Sequence, residues 1–317
     1  MVRHGTKDRY VVSLFKLMLS ICWLAASSPT CVWADEPKAV ESNFQDGSAQ
    51  LESTQDISSD LQSSDQEVRH RTEGDQPKLH HLRILSYNIH HGRGMDGRVD
   101  LKRVADVISA CSPDLVALQE VDQRVNRSGK VSQIGELSEL TGLNGVFAKQ
   151  IDYDGGEYGQ AILSRWPISD LKVIWLPGEP DRERRILAVA KIQLASNPMM
   201  FATTHLHHNN PSIRLEQAIA INRELGSSSL PVILGGDLNA EPSSPTLTEI
   251  SRAWTVIGSA NQLKTFPSEQ PDKQLDYICY RPQDAFRVVS SKVIAEPIAS
   301  DHRPVLGILE LFSVPAR

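Results

Sequence analysis

Apolar residues in the C-terminal part of the chain fall into short runs of two kinds. The first kind alternates or is continuous and rich in β-branched residues. Leu82-Arg83-Ile84-Leu85-Ser86-Tyr87-Asn88-Ile89 alternates and predicts a strand ending in Asn88, His90 and His91. Leu115-Val116-Ala117-Leu118 predicts a buried strand with Gln119-Glu120 at its end. Ala161–Ser164 is a strand stopped by Arg165-Trp166-Pro167. Arg185–Leu194, Met200–His207, Leu230–Leu234, Leu275–Tyr280 and Pro304–Phe312 read the same way. The second kind has helical spacing. Asp100–Cys111 places Leu101, Val104, Ala105 and Ile108 on one face, with Asp100 as N-cap. Gln133–Leu140, Ser212–Leu225 and Leu247–Ala253 are the other predicted helices. Strands and helices interleave without a regular βαβ rhythm. This favours an α/β (α+β) domain of mixed sheets packed face to face with helices outside. No internal repeat is visible by eye.

Upstream of this texture the pattern fails. Residues 1–34 read as an export signal: Arg3, Lys7 and Arg9, then a mostly apolar Val11–Ala26, then Val32-Trp33-Ala34 before a cut ahead of Asp35. The rival is an uncleaved anchor, but the run is short and Lys16 interrupts it. Residues 35–80 are Ser, Gln, Asp and Glu with few apolar positions, too little to offset their ordering entropy, so a disordered linker is expected. Residues 81–317 are then one domain, exported to the periplasm or outside the cell.

The chain has 317 residues, 40% hydrophobic, ample for a core. Its net charge of -6 argues against a protein that lives by non-specific grip on nucleic acid. Outside the leader there are two cysteines, Cys111 and Cys279, which is no disulfide framework; burial as small hydrophobes and a single bridge both stay open.

The chemistry lies where apolar strands end. Leu234-Gly235-Gly236-Asp237-Leu238-Asn239 follows a core run, and its two glycines predict a tight turn with room for a ligand. Asp237 and Asn239, two apart, leave the strand side by side. That suits a proton acceptor beside a group holding a phosphate oxygen. An isolated Gly-Gly-Asp is also an ordinary Asx turn. The odds change because Asn88, Glu120, His205, Asp276 and the Asp301-His302 pair stand at strand ends too. Burying so many carboxylates is costly unless a cation or a reacting ligand gathers them.

Gly-Asp-Leu-Asn (236–239), Thr-His-Leu (204–206) and Ser-Asp-His-Arg-Pro-Val (300–305), in that setting, resemble the endonuclease/exonuclease/phosphatase superfamily over residues 82–313. The resemblance implies a four-layer sandwich, two mixed β-sheets flanked by helices, with the site at one rim. It implies that Asn88, Glu120 and Asp301 hold Mg2+, with Mn2+ as the alternative ion. Asp237 becomes the base, Asn239 a phosphate contact, and His302 the group that steadies charge or passes a proton, held by Asp276. His205 becomes a second phosphate contact or proton donor. Arg185 and Gln160 are substrate-binding candidates, although a strand-edge charge explains Arg185 equally well. The departures are His90, His91, His207 and His208, which bind a transition metal as well as Mg2+, shape the substrate pocket or sit in solvent. The expected activity is metal-dependent hydrolysis of a phosphodiester in nucleic acid, a lipid headgroup or a small phosphate. A phosphomonoesterase and a non-catalytic binding module are the alternatives. No stable nucleic-acid partner is expected, and the chain is expected to act as a monomer.

Overall fold

A computed structural model describes residues 80–179, 183–194, 198–258 and 263–312. The leader expected at 1–34, and all but the last residue of the linker expected at 35–80, lie outside the described residues. The described chain is built on two six-stranded sheets. The first holds β1 (His80–Asn88), β2 (Leu115–Gln123), β3 (Asn144–Tyr153), β4 (Gly156–Ser164), β11 (Phe286–Val293) and β12 (Val305–Leu311), in the order β11-β12-β1-β2-β4-β3. The second holds β5 (Ile168–Trp175), β6 (Ile186–Gln193), β7 (Pro198–His205), β8 (Val232–Asp237), β9 (Thr255–Val256) and β10 (Asp276–Arg281), in the order β5-β6-β7-β8-β10-β9.

Both sheets are mixed, and in the same way. Near the middle of each runs one parallel pair, β1 with β2 and β7 with β8, flanked by antiparallel neighbours. A parallel pair needs a crossover. Helix α1 (Leu101–Cys111) lies between β1 and β2 in the chain, and α3 (Pro211–Leu225) between β7 and β8. Each begins at a side-chain cap. The Asp100 carboxylate accepts from the Arg103 amide, and the Asn210 side chain accepts from the Ser212 and Ile213 amides ahead of a first-turn Pro211. Two shorter helices, α2 (Gln133–Thr141) and α4 (Pro245–Ile250), are capped by Ser132 and Ser244.

Four layers follow from which faces are apolar. Leu82, Ile84, Leu115 and Ala117 of the first sheet meet Phe201, Ile233 and Ile278 of the second in a core between the sheets. On the outer face of the first sheet, Leu85, Tyr87, Val116 and Leu118 pack against Leu101, Val104 and Ile108 of α1. On the outer face of the second, Val189, Ala202 and Leu234 pack against Ala218, Ile221 and Leu225 of α3. Cys111 and Cys279 are free and buried in different outer layers, which settles against a bridge.

Two local expectations are corrected. Gly235 and Gly236 make no turn; β8 runs through them to Asp237. Their role is close approach. A Cβ on Gly235 would stand 2.6 Å from the Cβ of Ala117 across the sheet interface, and one on Gly236 would stand 2.6 Å from the carbonyl oxygen of Thr204 on β7. Glu120 is not beyond the end of a strand. β2 continues to Gln123 with a register shift against β4 between Leu118 and Val121, and Glu120 sits in that bulge with φ 59°. A bulge re-aims a side chain without ending the strand.

Candidate active site

Strand register places the first group. On the second sheet His205 of β7 pairs with Asp237 of β8, and Asp237 pairs with Asp276 of β10. Directly opposed residues share a face, so one row of neighbouring strands carries an imidazole and two carboxylates. The Asp276–His302 pair closes the row. Nδ1 of His302 lies 2.8 Å from Oδ2 of Asp276, and its Nε2 lies 3.7 Å from Oδ2 of Asp237. Asp276 also accepts a 2.5 Å hydrogen bond from the Thr265 hydroxyl, and Phe266 packs against the His302 ring at 4.8 Å. Nε2 of His205 stands 3.5 Å from the same Asp237 oxygen.

The first sheet supplies the second group. Asn88, fully buried at the end of β1, donates through Nδ2 to Oε1 of Glu120 at 3.0 Å and to Oδ2 of Asp237 at 3.2 Å. One amide thus ties the two sheets' carboxylates together. Its Oδ1 accepts from the His90 backbone amide at 3.1 Å. In this orientation Asn88 is a bridge, and ligating a cation through Oδ1 requires the amide to turn over. The Ser300 hydroxyl donates to the Asn88 carbonyl at 2.7 Å, which brings Asp301 and His302 to the same rim. Oδ1 of Asp301 lies 3.7 Å from Nδ1 of His90.

Asn239 has φ 48°, a left-handed conformation that asparagine tolerates. Its backbone amide donates to Oδ1 of Asp237, and its side-chain nitrogen donates to the Leu206 carbonyl at 3.1 Å. A primary amide has two N–H groups, so one remains for a ligand. Arg185, just ahead of β6, is buried; its Nη1 stands 3.0 Å from Oε1 of Glu183, and its Nε has no protein partner. A buried guanidinium N–H left unpaired is costly unless an anionic oxygen arrives. Gln160 is fully buried and one layer back. Its amide nitrogen donates to the Ile186 carbonyl and to Gln150, and Gln150 in turn donates to Glu183. Gln160 therefore braces the Glu183–Arg185 pair.

Burial and like charge set the electrostatics. Burial raises the Asp237 carboxyl to about 7, against the lowering influence of His302. Burial opposes charge on His302, but Asp276 and Asp237 outweigh it and hold the imidazole up to about 10. Burial, assisted by Arg185, keeps His205 well below its ordinary value and hence neutral. Glu120 is raised by burial and by the charge of Asp301. Acidic groups pushed up beside one another mark a place short of positive charge.

Two sets of ligating atoms gather within 4.8 Å: His90, His91 and Glu120, and Asp237, Asp276 and His302. The second set already has an internal hydrogen bond from His302 to Asp276. Glu120 and Asp301, with Asn88 after its amide turns, are the oxygen donors of this rim, the donor chemistry that a hard divalent cation takes. Thr265, Gln150 and Glu183 are the participants that sequence reasoning did not find. Each is an ordinary polar residue outside any recognisable pattern. His207 and His208 stack at 5.4 Å, and Nδ1 of His207 accepts from the Asn210 amide, which ties it to the start of α3.

Comparison with known proteins follows the same outline. The family model described as the Endonuclease/Exonuclease/phosphatase family matches residues 85–302. An endonuclease/exonuclease/phosphatase from Beutenbergia cavernae is 25% identical over 75% of this chain and 73% of that one, with a TM-score of 0.61. A family protein from Bacteroides thetaiotaomicron is 20% identical over 74% of this chain and 97% of that one, TM-score 0.62. A mannosyl-6-phosphatase of the same organism is 20% identical over 72% and 99%, TM-score 0.60. At 20% these last two share the fold.

Proposed function

The chain belongs to the endonuclease/exonuclease/phosphatase family of metal-dependent phosphoester hydrolases, and from that premise we propose that it is an exported, Mg2+-dependent phosphodiesterase attacking phosphorus with an activated water. The observation that carries this reading is the Asn88 amide, which binds Glu120 and Asp237 at once. It holds a cation-binding carboxylate and a base on one amide nitrogen, each at hydrogen-bond range of it, so that ion and activated water share one rim.

Glu120, Asp301 and Asn88 would hold the ion, which when bound would neutralise charge on a phosphoryl oxygen. Asp237, raised to about 7, is a base matched to neutral pH and takes the proton of the attacking water. His302 enters as a cation, since Asp276 and Asp237 keep it protonated after burial has opposed its charge, and it steadies the charge growing on the phosphoryl oxygens. Its Nδ1–H is directed to Asp276, so Nε2–H is the group offered to the reaction. Asn239 and Arg185 bind non-bridging oxygens, and neutral His205 orients Asp237 or a phosphoryl oxygen.

Net charge favours a diester. A monoester brings about -1.5 to -2 charges at neutral pH, into a rim that already carries Glu120, Asp237, Asp276 and Asp301 and whose Arg185 is shared with Glu183. Export rests on the basic start and apolar run of residues 1–34. The test is hydrolysis of bis-p-nitrophenyl phosphate, p-nitrophenyl phosphate, plasmid DNA and sphingomyelin, each with Mg2+ and with EDTA. Diester cleavage that EDTA abolishes and that Asp237→Asn lowers by roughly 10³-fold supports the reading. Faster monoester cleavage transfers it to a phosphatase, and equal rates in variant and wild type leave a binding module.

A further inference from the structure

Beside the oxygen ligands stands a feature that Mg2+ chemistry does not use. His90, His91 and Gly92 all have positive φ, at 46°, 45° and 77°. Consecutive left-handed residues other than glycine are rare and persist only where their surroundings hold them, most often at functional sites. Here the holding contacts are explicit. The Gln133 side chain donates to the His91 carbonyl at 2.7 Å, the His90 amide donates to Asn88, and a Cβ at Gly92 would stand 3.0 Å from Leu101 and 3.5 Å from Val99.

The result of this turn is that both rings meet Glu120. A ring nitrogen of His90, a ring nitrogen of His91 and a carboxylate oxygen of Glu120 lie within 4.8 Å of one another, and the rings stand edge to face at 4.6 Å. His91 is 7% exposed, and its Nδ1, like that of His90, has no hydrogen-bond partner. A satisfied core histidine would have one. Two imidazoles, each with a ring nitrogen within 4.8 Å of a Glu120 oxygen, form a donor set for a borderline ion, whereas Mg2+ prefers oxygen and its own waters.

We propose that His90, His91 and Glu120 bind a borderline first-row transition ion of the Zn2+ or Co2+ kind through two nitrogens and one oxygen, in preference to Mg2+. The inference rests on the reading that this rim works with a dication, and it adds a nitrogen-containing position that shares Glu120 with the Mg2+ set.

The test uses full-length protein stripped with EDTA and titrated with CoCl2, followed by visible absorption and by equilibrium dialysis against MgCl2. Co2+ is expected to bind with strong ligand-field bands, to be displaced by Zn2+, and to resist Mg2+ in large excess. His90→Asn and His91→Asn keep the left-handed backbone available. Each is expected to weaken Co2+ by about tenfold or more and to bleach the bands, while Mg2+ binding changes little. Thermal melts of the metal-free variants check the fold. Wild-type Co2+ affinity and spectrum in the double variant would overturn the proposal, as would displacement of Co2+ by equimolar Mg2+. Failure of the phosphoesterase reading is separate: wild type would then hydrolyse nothing with any ion while its Co2+ spectrum stayed intact.

Discussion

Asp276→Asn isolates the electrostatic part of the site, because it keeps shape and removes one charge. Nδ1 of His302 lies 2.8 Å from the Asp276 carboxylate, and with burial opposing, Asp276 and Asp237 together hold the ring up to about 10. Opposite unit charges near contact distance, at an effective dielectric of about 20, attract by about 4 kcal/mol, or roughly three pKa units. Removing Asp276 therefore returns His302 to about 7. At pH 8 the protonated fraction falls from nearly all to about a tenth, so turnover should drop about tenfold there and far less at pH 6. A raised imidazole is active below its pKa and lost above it, so the alkaline limb of the kcat profile should move down by about three units. A pH series with wild type and Asp276→Asn measures this, and NMR titration of the His302 ring checks it without turnover. An alkaline limb that stays in place in a folded variant would refute the role given to Asp276.

Further outcomes follow from the same geometry. Glu120→Gln should raise the melting temperature of metal-free protein at pH 8 by about 2–4 °C per kcal/mol recovered, and little at pH 4, because a carboxyl raised by burial loses stability as pH rises; differential scanning fluorimetry in EDTA reads it. The same variant should lose most of the thermal shift that added divalent ion gives wild type. Gly235→Ala forces a Cβ to 2.6 Å from Ala117 and should cost about 1–3 kcal/mol by urea unfolding, with kcat lowered as the sheets part at Asp237.

The pattern of the sequence reached every strand that lies inside a sheet and none at an edge. β1, β2, β4, β6, β7, β8, β10 and β12 have mostly buried residues, and their apolar periodicity is plain. β3, β5, β9 and β11 form the edges. Strands such as Ile168–Trp175 and Phe286–Val293 face solvent along much of their length and carry polar residues, so no period marks them. Helix ends were legible where a capping side chain stood, at Asp100 and close to Asn210. In the site, the acids and histidines at strand ends announced themselves, because a charge beside a core run is conspicuous. Thr265 and Gln150 act only through hydrogen bonds to the residues that hold the site, and nothing in composition or spacing separates them from surface residues. The glycine pair was misread as a turn because the closeness it permits comes from Ala117 and Thr204, remote in sequence.

The Asn88 amide joins groups that ride on different slabs of the molecule: Glu120 on one, Asp237 on the other. Alignment of Glu120 with Asp237 is therefore a property of how the slabs are seated. Hydrostatic pressure, or a hole cut between Phe201 and Ile84, would slide them out of true and silence the protein while every polar residue at the rim stayed in place.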